Sequence, residues 1–344
     1  MKVLVTGSEG YIGAVLRDVL LARGHEVRGM DAGYFNGCDF GAAPAAIPLV
    51  QRDLRQAQKS DLEGFDAVVH LAALSNDPLG NVDASLTQDI NTTASIRLAE
   101  LAKEAGVGRF LFSSSCSLYG ASESQGLTEE AQHNPQTPYA QSKVDVELAL
   151  RNLVSDDFSP AYFRNATAYG ISPRLRFDLV VNNLCGWAWT TGKIRLTSDG
   201  TPWRPLVHIL DISKAFACAL DAPREAIHNQ AFNVGSNANN LQVIGVARKV
   251  QQHFPECEVL VGQSDGDTRT YNVDFTKINT RLPGWDGCDY SVDDAILEFK
   301  AAFERMSLSD ETFQSRMYTR LKQIKHLQDQ GELDERLYWT TNPA

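Results

Sequence analysis

The sequence predicts an α/β fold: a doubly wound parallel sheet with a smaller, discontinuous α/β lobe and a C-terminal helical extension. Three observations lead there. Over the first 165 residues, short β-rich runs alternate with helical stretches, the pattern of a parallel sheet covered by helices on both faces. A glycine-rich turn joins the first run to the first helical stretch. Beyond about residue 170 the alternation breaks down, with Pro173, Pro202, Pro205 and Pro223 punctuating shorter elements.

In chain order, "KVLVT", "EVRGMD", "PLVQR", "AVVHLA", "RFLFSS" and "SPAYFR" are expected as strands. Between them, "YIGAVLRDVLLARG" reads as a helix closed by Gly24, and "DASLTQDINTTASIRLAELAKEAG" as one closed by Gly106. A third helix should open after Pro138 and run through "YAQSKVDVELALRNLV". Residues 1–170 then form the large domain, with 204–235 returning to it, because "PLVHILDISKAFACAL" reads as one more strand and helix. Residues 171–203 and 236–306 form the smaller lobe. The polar, amphipathic segment 307–344 forms the helical extension.

A chain of 344 residues with 43% hydrophobic content can bury a large core. Its net charge of −11, with no offsetting basic block, argues against nucleic acid or an anionic membrane surface as partner. No stretch approaches the roughly 20 apolar residues of a membrane span, and the start, "MKVLVTG", is too short for the apolar core of a signal peptide. Six scattered cysteines without CxxC pairing fit reduced thiols in a cytoplasmic protein, and no metal site is expected.

"VTGSEGYIG" places Gly7, Gly10 and Gly13 in the turn from first strand to first helix. Glycines there let a pyrophosphate approach the helix N-terminus, where N–H groups and the dipole attract it. Asp31 ends the second strand, where a carboxylate can accept hydrogen bonds from both ribose hydroxyls. These features make the sheet Rossmann-type. A carboxylate would repel a 2′-phosphate, so NAD is expected rather than NADP, with Arg28 as the nearby cation that opposes this preference.

"PYAQSK" contains Tyr139 and Lys143, four apart and therefore on one helix face. A phenol, with a reference pKa of about 10, is a poor base at neutral pH unless a cation stabilises the phenolate. Lys143 and the positive nicotinamide ring can both do so. A hydroxyl from "SSSCSLYG", at the end of a neighbouring strand, could share the proton with a substrate hydroxyl. The same spacing recurs at Tyr318 and Lys322, where no phosphate loop or serine strand precedes it and the surroundings read as a solvated helix.

"TGSEGYIG", "HLAA", "SSSCSLYG", "PYAQSK" and "PLVHILDI", in this order and spacing, resemble the extended short-chain dehydrogenase/reductases that modify nucleotide sugars. This is the epimerase/dehydratase family typified by UDP-galactose 4-epimerase, and the resemblance covers roughly residues 1 to 300. It implies Ser115 as the catalytic hydroxyl, Tyr139 as base and Lys143 as its partner. On the coenzyme side it implies Gly7, Gly10, Tyr11, Ile12 and Gly13 in the loop, Asp31 on the ribose, and Asp53 with Leu54 beside the adenine. Leu71, Ala72 and Ala73 of "HLAAL" would line the coenzyme, which also meets Tyr139 and Lys143.

Departures from the family pattern narrow the chemistry. The 4,6-dehydratases of that family carry an Asp-Glu pair after the catalytic residue, and decarboxylases keep the glutamate, to assist proton transfers after oxidation. Here those positions are Cys116, read as a small core residue, and Ser117, assigned to the substrate. Thr167 replaces the asparagine of an Arg-x-x-Asn pattern whose arginine, Arg164, is read as structural. The resemblance implies Asn183 and Leu184, in "VVNNL", as holding the nucleotide diphosphate, and puts Arg204, in "GTPWRPLVH", where the family has an arginine suited to bidentate contact with phosphate oxygens. A second family arginine is missing, with Ser264 in its place, and Arg269, two residues beyond Asp267, is the expected substitute. His70, His208, Trp187 and Trp189 are read as packing residues.

The expected function is therefore that of an NAD-dependent nucleotide-sugar epimerase acting at C4 by transient hydride transfer. Alternatives are a 4-ketoreductase using the same residues once, a dehydratase or decarboxylase, and a coenzyme sensor that would have no need of Ser115, Tyr139 and Lys143 together. A homodimer is expected through the helix bearing Tyr139 and the long helix before it, since "VDVELALRNL" offers a second apolar face.

Overall fold

A computed structural model describes residues 1–75, 83–122, 124–263 and 269–341. Its large sheet contains β1 (Lys2–Thr6), β2 (Glu26–Asp31), β3 (Leu49–Gln51), β4 (Ala67–His70), β5 (Arg109–Ser115), β6 (Ser159–Asn165) and β7 (Ala231–Val234). All neighbours are parallel, in the order β7-β6-β5-β4-β1-β2-β3. The strand order reverses between β1 and β4, where Val3 lies opposite Ala67 and Thr6 opposite His70. A crevice at the carboxyl ends of the strands follows from that reversal.

Alternation along each strand sends side chains to two cores. Val3, Val5, Val69 and Leu111 face one cluster, with Leu16 and Leu20 of the helix Gly13–Ala22 and Phe216 of the helix Ile209–Asp221. Leu4, Val68, Phe110 and Phe112 face the other, with Leu98 and Ala102 of the helix Ala94–Glu104 and Val146 and Leu150 of the helix Pro138–Leu153. Gly24, at φ +80°, closes the first helix, and its N–H donates to Leu21 O at 2.9 Å. The Tyr139 helix starts with Pro138, preceded by Thr137, whose hydroxyl accepts the Ala140 N–H at 3.2 Å.

The helix over residues 84–104 carries a π-helical segment at Gln88–Thr93. It turns Asn91 inward, where Oδ1 accepts the Leu74 N–H at 2.7 Å and Nδ2 donates to Leu74 O at 3.1 Å. The loop after β4 is thereby pinned beside the crevice.

Two elements differ from the sequence expectation. Trp203–His208 does not join the large sheet; it pairs with Thr167–Tyr169 and Asn240–Gln242 in a separate three-stranded sheet. Val207 near its end and the following helix pack back on the large domain, and the strand that returns to the sheet is Ala231–Val234. The segment after residue 307 is helical, as expected, but the surroundings of Tyr318 are not solvated. It forms short helices at Asp310–Gln314 and Arg316–Tyr318, then the helix Arg320–Asp329, and packs against both lobes. Tyr318 is buried, its hydroxyl donates to Asp39 O at 3.0 Å, and its ring meets Phe40 and Phe177 edge-on.

The smaller lobe buries the helices Val180–Thr191, Val243–His253 and Val292–Arg305 around Cys185, Phe299 and Phe303. No helix among the described residues is long and apolar enough to cross a membrane, and no group of metal-ligating side chains occurs among them. On the Tyr139 helix, the second apolar face reduces to Leu148, which is 54% exposed.

Candidate functional site

A cleft of about 710 Å³ runs along the carboxyl edge of the sheet and into the smaller lobe. Its wall includes Gly7, Gly10, Tyr11, Ile12, Gly13, Asp31, Asp53, Leu54, Leu71, Ala72, Ala73, Ser115, Ser117, Tyr139, Lys143, Thr167, Asn183, Leu184, Arg204 and Arg269, the residues expected from sequence to serve catalysis, coenzyme or substrate. Ser264 and Asp267 lie outside the described residues.

The glycine turn is as tight as its sequence suggests. Gly7 has φ +73°, and a Cβ there would lie 2.8 Å from Ala72 N. A Cβ on Gly13 would lie 2.2 Å from Gly7 O. The helix that follows has neither a side-chain cap nor an acid in its first turn, which leaves its positive end to a ligand. Glu9 is occupied elsewhere, paired with Arg17 and, at 3.4 Å, with Arg174.

At the end of β2, Asp31 accepts the Glu9 N–H at 3.0 Å and the Gly33 N–H at 2.8 Å. Burial pushes its carboxyl above the usual range, against those two donors. Asp53 has a more structural part than its sequence position suggests: its carboxylate accepts from Arg55 Nη2 at 2.6 Å and Arg55 Nε at 2.9 Å, and the Tyr34 hydroxyl oxygen lies 3.1 Å from it. Arg28 is exposed and outside the cleft; the guanidinium groups that line it on this side belong to Arg52 and Arg320.

The serine strand explains itself residue by residue. Ser113 O accepts from Lys143 Nζ at 2.8 Å, and Ser113 Oγ accepts from Asn165 Nδ2 at 3.0 Å. Ser114 donates to Glu147 Oε1 at 2.6 Å. Ser115 caps the turn Cys116–Tyr119, its Oγ accepting the Ser117 N–H at 3.2 Å, so its own hydrogen can point into the cleft. Cys116 is buried, its thiol donates to Arg164 O at 3.1 Å, and burial pushes that thiol well above its ordinary pKa.

Lys143 is 4% exposed and lies 5.4 Å from the Tyr139 ring centroid and 4.8 Å from that of Phe112. Burial pushes its ammonium down to about 7, opposed by Glu147. An ammonium so easily neutralised is best retained beside a new negative charge, which a phenolate at Tyr139 would supply.

Several polar groups in the wall escaped sequence reading. Asn165, two residues before Thr167, brings an amide to the cleft, and its Oδ1 is buried without a protein partner, as is Ser117 Oγ. Arg176 donates to Ser75 Oγ at 2.9 Å and to both oxygens of Asp178, at 2.8 and 3.2 Å. Despite burial, that guanidinium holds the Asp178 carboxyl below its ordinary range. A basic residue two before an acid in "RFD" was the available signal. Asn183 lines the cleft, with Nδ2 donating to Phe177 O at 2.8 Å.

The other polar residues read as structural have packing roles. His70 bridges Thr6 at 2.7 Å and Ser95 at 2.8 Å, and burial pushes it to about 3, so its ring is neutral. His208 stacks on Tyr290 and meets Glu298 at 3.1 Å. Trp187 packs on Phe313, and Trp189 donates to Leu308 O at 3.2 Å.

Although the chain is acidic overall, Lys143, Arg52, Arg176, Arg195, Arg204, Arg269 and Arg320 line this cleft against Asp31, Asp53 and Asp178. Orphaned polar atoms, a tight glycine cradle, an uncapped helix start and excess positive charge fit a dinucleotide coenzyme together with a second anionic ligand.

Comparison with known proteins agrees with this geometry. Residues 3–235 match the family model described as the NAD dependent epimerase/dehydratase family. A UDP-glucose 4-epimerase of Corynebacterium glutamicum is 31% identical over 302 residues, 83% of this chain and 90% of that protein. The structure of MoeE5 in complex with UDP-glucuronic acid and NAD superposes with a TM-score of 0.77 at 25% identity, over 90% of this chain and 100% of the other. An NAD-dependent NDP-hexosamine 5,6-dehydratase, TunA, superposes with a TM-score of 0.79 over 88% of this chain and 98% of its own, and at 23% identity that likeness concerns the fold alone.

Proposed function

We propose that this chain, which belongs to the NAD-dependent epimerase/dehydratase family, is a nucleotide-sugar 4-epimerase that interconverts UDP-glucose and UDP-galactose. The observation that carries the reading is the pair of positions after Ser115. They hold the buried, hydrogen-bonded Cys116 thiol and the Ser117 hydroxyl, where a dehydratase needs carboxyl groups. A 4-keto sugar held there meets no carboxyl group at those two positions to assist elimination, which favours reduction back.

NAD, when bound, supplies the acceptor and donor of the C4 hydride. Tyr139 takes the proton of the 4-hydroxyl, Ser115 hydrogen-bonds that oxygen, and Lys143 keeps the phenolate paired. Asp31 holds the adenosine ribose, and the glycine turn receives the coenzyme diphosphate. Arg204 and Arg269, with Arg195, form the cationic end for the substrate diphosphate, where Thr167, Asn183 and Leu184 orient the nucleotide. Ser117 and the unpartnered Asn165 Oδ1 offer hydrogen bonds to the sugar.

Product analysis after incubation with UDP-glucose tests this reading. UDP-galactose is the expected product, and a 4-keto-6-deoxy sugar nucleotide as the main product would replace epimerisation by dehydration. A homodimer built on the helix bearing Leu148 belongs to the same reading. Light scattering should give twice 37.9 kDa, and a monomer at micromolar concentration contradicts it.

A further inference from the structure

The C-terminal segment lies beyond residues 3–235, which match the family, yet it forms part of the coenzyme cleft. It is fastened to the β2–β3 side at several points. Trp339 Nε1 donates to Ala32 O at 2.7 Å, the Tyr34 hydroxyl donates to Leu337 O at 2.5 Å, and Arg55 Nη1 donates to Arg336 O at 2.7 Å. Ile324, Leu327 and Leu333 bury against Tyr34, Leu74 and Ile90 beneath these bonds. The helix Arg320–Asp329 therefore starts at a fixed place beside the cleft.

Arg320, the first residue of that helix, is 3% exposed and lines the cleft. Its guanidinium carbon lies 3.9 Å from the Phe35 ring centroid, and Nη2 donates to Arg174 O at 3.2 Å. Nη1 is buried and has no hydrogen-bond partner. Among the described residues no carboxylate lies within ion-pair distance of it. Asp178, the nearby acid, is already held by both ends of Arg176. Burial and the neighbouring Arg176 pull the Arg320 guanidinium down to about 9.

A buried cation with an idle donor, on a residue of the cleft wall, is costly unless an anion meets it. The diphosphate expected at the glycine turn is such an anion, and Asp31, among the charges that act on Arg320, marks the adenosine end. We infer that Arg320, carried by the C-terminal segment, is a coenzyme-binding residue whose idle Nη1 donates to a phosphate oxygen of NAD. The segment then completes the coenzyme site and ties coenzyme retention to its own docking.

The test uses full-length protein freed of coenzyme, with ADP-ribose and adenosine as probes, so it involves no sugar nucleotide and leaves the epimerase reading untouched. In Arg320→Gln, ADP-ribose affinity by calorimetry should fall roughly 10- to 100-fold, the range for a hydrogen bond to a charged group, while adenosine affinity stays within about two-fold. The coenzyme-free Tm should stay within about 3 °C or rise, because an unpaired buried charge is removed. Arg320→Lys should recover part of the ADP-ribose affinity. Unchanged ADP-ribose binding overturns the inference, and so does a parallel loss for both probes with a lowered Tm, the outcome for a merely structural arginine.

Discussion

Tyr139→Phe should reduce turnover by roughly 10²- to 10⁴-fold, the span of a lost general acid–base group, while bound coenzyme remains. The substitution removes one oxygen and keeps the ring that Lys143 faces at 5.4 Å, and the Lys143 bond to Ser113 O does not depend on it. Among the described residues, Tyr139 is the cleft tyrosine with a buried lysine against its ring. Initial rates and coenzyme absorbance, measured on the same preparation, separate catalysis from binding. Coenzyme lost in step with activity would give Tyr139 a binding role instead. Tyr318→Phe is the control: its hydroxyl meets Asp39 O outside the cleft, and the rate should hardly change.

Arg164→Met should destabilise the fold by about 3–5 kcal/mol, lowering Tm by roughly 10 °C. Arg164 and Glu147 are each 1% exposed in their side chains and bond at 2.7 and 3.0 Å. Arg164 also donates to the Tyr119 hydroxyl at 3.0 Å and to Glu129 O at 2.8 Å. Without it, Glu147 would be a buried charge left with the Ser114 hydroxyl as its remaining hydrogen-bond donor. The damage would then reach the serine strand and Lys143. The double variant Arg164→Met with Glu147→Leu should regain much of the loss, because both charges leave together. A single-variant loss under about 1 kcal/mol in thermal melts would show that water reaches the site.

The six strands and three helices of the large domain were legible because each carries its own local signal. Val3, Val5 and Leu4 alternate, Gly24 and Gly106 sit at helix ends, and Pro138 opens the Tyr139 helix. The seventh strand, "AFNV", lies outside the βα alternation of the first 165 residues, and its place beside β6 is a long-range fact. The same limit applies to the site. Motifs along residues 7 to 31, 113 to 120 and 139 to 143 pointed to the cleft. Arg176 and Asp178 carry only the faint signal of "RFD", Arg320 has no local pattern, and only folding brings residue 320 to the cleft that Asp31 lines. Asn165 was overlooked because the expected amide position, 167, holds a threonine. Tyr318 looked solvated because its neighbours in sequence are polar, whereas its neighbours in space are Phe40 and Phe177.

The central claim is that hydride leaves C4 and returns within one residence of the coenzyme. UDP-glucose deuterated at C4, incubated with the purified protein and no added coenzyme, tests this most directly. Bound NAD in the preparation, conversion to UDP-galactose, and deuterium retained at C4 of the product are the expected results. A requirement for stoichiometric NADH and a 4-keto sugar, with deuterium from labelled NADH appearing in the product, would contradict it and make the protein a ketoreductase.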